Sequence, residues 1–80
     1  MLFRSPFDNT TFIVYELREN TSVDLVLFDQ TGRMIDILVK EDQIAGQYRM
    51  EYDGSKLDSG IYTLRLATDR GVYTARMVVR

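Results

Sequence analysis

The chain has 80 residues with a net charge of -2, 45% apolar and 28% charged side chains, the balance of one small soluble-type globular domain. Ten Lys and Arg are scattered among twelve acids, so no basic cluster exists to neutralise nucleic-acid phosphates or to hold a membrane surface. Absence of Cys and His removes disulfides, thiolate metal sites and the commonest general base and zinc ligand.

No apolar run approaches the roughly 20 residues of a membrane helix. Met1-Leu2-Phe3-Arg4 is not a basic segment followed by an apolar one, so no export leader is visible. Two readings stay open: a cytoplasmic protein, or a piece of a longer chain with Met1 added. Domain organisation reads as an extended lead-in over 1–10 and a single β-sandwich over 11–80.

In chain order, Pro6 favours extended geometry at Ser5, and Asp8-Asn9-Thr10 is turn chemistry. The first predicted strand is Thr11–Leu17, with Thr11, Ile13, Tyr15 and Leu17 on one face. The second is Ser22–Asp29. Val23, Leu25 and Leu27 share one face, and Val26 and Phe28 make the other apolar, so a central strand covered on both sides is expected. Asp29-Gln30-Thr31-Gly32 is a tight turn with Gly32 free to take positive φ.

The third strand is Arg33–Lys40, with Ile35, Ile37 and Val39 inward. A helix competes, because Met34, Ile35, Leu38 and Val39 also fit a 3.6 period. The connection Glu41–Gly46 is expected to be pinned by Ile44. Gln47–Tyr52 alternates cleanly, with Tyr48, Met50 and Tyr52 inward. Asp53-Gly54 opens a loop to Leu57-Asp58-Ser59-Gly60. The fifth strand, Gly60–Thr68, places Tyr62, Leu64 and Leu66 inward. Asp69-Arg70-Gly71 is a hairpin turn whose glycine is expected at positive φ. The last strand is Val72–Val79, with Tyr73, Ala75, Met77 and Val79 inward.

Short strands, tight turns and no credible helix predict an all-β, antiparallel immunoglobulin-like sandwich of six to seven strands. Hairpin-length connections suit a Greek key rather than parallel crossovers.

No chemical site assembles from these residues. The acids Glu41-Asp42 and Asp53 with Asp58 lie on turns and loops, where Asp is ordinary turn chemistry. The Asp53–Asp58 loop lacks EF-hand spacing. Five Tyr and four Phe suggest a stacking platform, yet Tyr15, Tyr48, Tyr52, Tyr62 and Tyr73 all fall on faces assigned to the core. Asn9 and Asn20 fit glycosylation sequons but read as turn residues. No catalytic residue, cofactor or metal is expected, and no enzyme.

The order of signals resembles one family. Ser5-Pro6-Phe7 followed by Asn9-Thr10-Thr11-Phe12-Ile13 is similar to the Asn-Pro-Phe and Thr-Thr-Ile segments of the type IX secretion system C-terminal sorting domain (type A). That family is related to the immunoglobulin-like domain of the flagellar hook-capping protein. Val23–Arg33 resembles its second strand and Gly-containing turn, marked by Gly32. Ala45-Gly46 before Tyr52-Asp53-Gly54 resembles its Ala-Gly and Trp-Asp-Gly segments. Leu57-Asp58-Ser59-Gly60-Ile61-Tyr62 resembles Leu-x-Ser-Gly-x-Tyr, and Gly71 with Ala75-Arg76-Met77-Val78-Val79 its terminal strand. Departures are Ser5 for Asn, Tyr52 for Trp, and Arg76 and Arg80 for Lys.

The resemblance implies a cargo tag. The parent protein would cross the inner membrane by its own leader and pass through the periplasm. The outer-membrane translocon and its shuttle proteins would then read the folded tag. A surface sortase would remove it, leaving the cargo at the cell surface or secreted. A non-catalytic assembly domain, hook-cap-like or carbohydrate-binding, is the alternative. The candidate recognition element is the last strand: Thr74, Arg76 and Val78 on its outer face, Val79 and Arg80 at its end, and Gly71 at its hairpin. An open edge there would also suit an edge-strand homodimer.

Overall fold

The computed structural model describes residues 2–4, 10–55 and 57–80, and of 2–4 the backbone only. Pro6, Phe7 and the turn expected at Asp8-Asn9 lie outside the described residues.

Alternating apolar and polar residues, bounded by Asp, Asn and Gly turns, produce seven strands and no helix among the described residues. They are β1 (Leu2–Arg4), β2 (Thr10–Leu17), β3 (Thr21–Phe28), β4 (Met34–Gln43), β5 (Gly46–Asp53), β6 (Gly60–Thr68) and β7 (Gly71–Val79). Two sheets form, ordered β1-β2-β5 and β4-β3-β6-β7. Every pairing is antiparallel. The predicted all-β, immunoglobulin-like sandwich is thus what the chain adopts. The lead-in contributes β1, whose Leu2 pairs with Ile13 and Arg4 with Thr11.

The core lies between the sheets: Ile13 from β2, Leu25 and Leu27 from β3, Tyr62 and Leu64 from β6, Met77 and Val79 from β7. Leu27 is fully enclosed. β3 is central, between β4 and β6. Its outer face is not buried under another layer. Val26 is buried there beside its cross-strand neighbours Ile37 and Arg65, and Arg65 lies 4.7 Å over the Phe28 ring.

Two further expectations fail, each for a local reason. Ile37 is 47% exposed rather than inward. The β3–β4 register shifts between Leu25 and Val26 and again between Leu27 and Phe28. Each bulge puts an extra residue into β4, so its inward set becomes Ile35, Leu38 and Val39. The helix-like spacing in the sequence is the imprint of those bulges. Ile44, expected to pin the β4–β5 connection, is 70% exposed. Backbone groups pin it instead: the Ala45 N–H donates to Asn20 Oδ1 at 2.9 Å, and the Tyr48 hydroxyl to the Ile44 carbonyl at 2.6 Å.

Candidate functional site

The tyrosines are placed by their strands as struts. Tyr15 and Tyr48 stack with ring centroids 5.2 Å apart. Tyr15 Oη donates to Gln43 Oε1 at 2.7 Å, and Tyr52 Oη to Asp36 Oδ2 at 3.1 Å. With Tyr48 on Ile44, all three struts of the smaller sheet end on β4 or its exit. Burial pushes the Tyr15 phenol up from its ordinary value. Burial, and then the hydrogen bond to Asp36, push Tyr52 up to about 12. Tyr62 is buried, and its hydroxyl donates to the Asp58 carbonyl at 2.7 Å. These rings are structural, not a free stacking platform.

Tyr73 differs. It faces the inter-sheet side of β7, opposite Leu66, yet is 56% exposed. The core placement expected for it is corrected by sheet width: the four-stranded sheet overhangs the three-stranded one at this end.

The turns are built by acids acting on backbone. Asp29 Oδ1 accepts from the Thr31 N–H at 2.9 Å, the Thr31 hydroxyl at 2.6 Å and the Arg33 N–H at 3.0 Å. Gly32 closes this turn at φ +86°, as the sequence predicts. The bond from the Thr31 hydroxyl, and then that from the Arg33 N–H, hold the Asp29 carboxyl below its usual range. Asp53 Oδ1 accepts from the Ser55 N–H at 2.9 Å. Among the described residues no cluster of acids is arranged to hold a metal ion.

The hairpin at Gly71 is clasped to the β2–β3 turn. Asp69 Oδ1 accepts from the Ser22 hydroxyl at 2.7 Å, and the Asp69 N–H donates to Thr21 Oγ1 at 2.9 Å. Arg70 pairs with Glu19 through two nitrogens. Gly71 itself sits at φ +153°, a conformation side chains rarely adopt. The sequence marks this hairpin as a turn but gives no sign of its clasp.

The candidate recognition residues occupy one element. β7 is one of the two border strands of the larger sheet, β4 being the other. Its outward row is Val72, Thr74, Arg76 and Val78, all exposed. Arg76 stands opposite Thr63, and Thr74 opposite Arg65. Between them runs a shallow groove of about 500 Å³, lined by Phe28, Ile61, Thr63, Arg65, Thr74 and Arg76 among others. Val79 is 6% exposed and belongs to the core, so its side chain is not part of the outward row. Arg80 follows the strand, exposed.

Among the described residues these geometries offer a firm scaffold, an exposed side-chain row on a border strand and no reactive constellation. No curated protein and no solved structure matches the chain. Residues 2–80 match the family described as secretion system C-terminal sorting domain. The match covers nearly the whole chain. It places the Leu57–Tyr62 turn, the Gly32 turn and the terminal strand within that family, whose members are the C-terminal sorting signals of the type IX secretion system. Such a tail interacts with the type IX machinery and implies export to the cell surface or secretion as part of a larger protein. The chain belongs to the family of type IX secretion C-terminal sorting domains.

Proposed function

We propose that the type IX machinery reads this domain along β7, with Thr74, Arg76 and Val78 as the side-chain row, Val79 and Arg80 as the strand end, and Gly71 setting the hairpin that presents it. The observation that carries this reading is β7's position at the border of the larger sheet. A border strand offers backbone for strand addition, and an alternating side-chain row gives that addition its specificity. The reader is the outer-membrane translocon or one of its shuttle proteins, reached after transit through the periplasm. A sortase then acts on the exported protein. The domain is a non-catalytic tag throughout. The same border strand lets two copies pair edge to edge, and a partner that adds a strand to β7 competes with that homodimer.

The test is a periplasmic reporter fused to this chain in a host with type IX secretion. Thr74→Pro blocks strand addition at β7, and Arg76→Glu reverses the row's charge. Both variants are expected to fold, since Thr74 and Arg76 are exposed, and to strand the reporter in the periplasm. Export at the unsubstituted level from both folded variants overturns the reading. Truncating Val78–Arg80 is a poor substitute, because it removes the buried Val79.

A further inference from the structure

β1 is short. It borders β2 only from Thr11 to Ile13, which leaves Val14–Leu17 bordered on the β5 side alone among the described strands. Burial along β7 changes at the same height. Met77 and Val79 are buried, whereas Ala75 and Tyr73, on the same inward row, are exposed. A cavity of about 160 Å³ opens there, lined chiefly by Ile13, Tyr15, Leu64, Leu66, Tyr73 and Ala75. A larger groove past Leu17, Thr68 and Arg70 shares Leu66 and Tyr73 with it. Among the described residues the sandwich therefore has an open seam where one more strand beside β2 would close it.

We propose that the polypeptide leading into this domain in an exported protein is that strand. This rests on the family's place at the tail of a longer protein. The register is already set, because β1 runs antiparallel to β2 with Leu2 opposite Ile13. Continuing it pairs the residue just before position 1 with Tyr15, and the third residue before position 1 with Leu17. Residues directly opposite in an antiparallel pair share a face. Tyr15 and Leu17 face inward, Tyr15 packing against the core and Leu17 buried. Apolar side chains at the first and third upstream positions therefore enter the seam, and the second points to solvent. The cavity's apolar lining recognises alternating apolar residues, and continuity with an existing strand selects the cargo linker over a separate chain. The last few residues of cargo linker thus belong structurally to the tag.

The test uses two extended proteins of equal composition. One carries Thr-Val-Thr-Val before position 1, which puts Val at the first and third upstream positions. The other carries Val-Thr-Val-Thr, the same residues in opposite phase. Amide hydrogen exchange is followed at Val14–Leu17. In the first protein those amides of this stretch that point away from β5 are expected to exchange about tenfold more slowly than in the second, as added strand pairing protects an edge. Ala75→Trp, at an exposed position in the cavity wall, is expected to abolish the difference while Leu25 exchange stays unchanged. Equal exchange in the two extended proteins overturns the proposal. Protection that grows with protein concentration overturns it too, because the strand would then come from a second copy. The assay is done on purified protein, so either outcome leaves the secretion reading of β7 to its own test.

Discussion

The Tyr62 hydroxyl donates to the backbone carbonyl of Asp58, four residues earlier, at 2.7 Å. This bond explains the spacing of Leu57-Asp58-Ser59-Gly60-Ile61-Tyr62. The chain turns through Asp58-Ser59, Gly60 takes φ +158°, and the ring of the next inward residue ties the turn to the core. Immunoglobulin-like sandwiches use a related tyrosine device at strand corners. Tyr62→Phe should cost about 1–2 kcal/mol, because it leaves the carbonyl without its partner. Tyr62→Ala should cost about 3–5 kcal/mol through the lost ring. Urea denaturation of both variants measures the two contributions separately. A Phe variant as stable as the unsubstituted chain would show that the hydroxyl contributes nothing.

Tyr52 is expected to set an alkaline limit on the domain. Its folded phenol is raised to about 12 from an ordinary 10.0 by burial and by Asp36. A raised value means the neutral form is favoured by folding. The stabilisation is therefore complete below pH 10 and is lost as pH rises through about 12. Tyr52→Phe should flatten the fall in thermal midpoint across that window. An identical alkaline profile would show that another group controls it.

The β4 bulges reverse two side chains relative to plain alternation. Leu38→Ala should cost about 2–3 kcal/mol, as partly buried core truncations do. Ile37→Ala should cost under about 1 kcal/mol, as exposed substitutions do. Chemical denaturation ranks them, and the opposite order would restore the simple period of two.

Gly32 carries the turn between β3 and β4 at φ +86°, with open space around a would-be Cβ. Gly32→Ala is therefore strained by backbone alone and should cost about 1 kcal/mol. Gly32→Asn, which tolerates this region better, should recover part of the loss. Equal stability of all three proteins would mean the turn relaxes without cost.

Much of this architecture is legible in the sequence because a period of two is a direct record of sheet burial. Val23-x-Leu25-x-Leu27 and Tyr62-x-Leu64-x-Leu66 both point inward where alternation places them. What escapes is whatever breaks the period or depends on the other sheet. The β4 bulges are an agreement between two strands, so Ile37 alone carries no sign of them. Tyr73 has the right phase for the core, but phase cannot tell how wide the opposing sheet is. Ile44 looks like a hydrophobic pin, whereas the connection is held through its carbonyl and the next N–H, which no side-chain pattern records. β1 has three residues, too few to alternate. The family is legible through ordered turns and strands. The Asp69 and Arg70 clasp joins residues some fifty positions apart and leaves no local trace.

The three strut tyrosines all anchor to the β4 side, while the β1/β7 side has a gap that no described residue covers. That imbalance gives the sandwich the mechanics of a hinged shell. Polar pins along β4 form the hinge, and the lips are at Val14 and Tyr73. An opening at the lips would reach Leu66 and Leu64, which line the cavity, before the fully enclosed Leu27. Closing the lips stiffens the shell without touching the hinge, so a tag engaged at the gap can be firmer than a free one with an unchanged core.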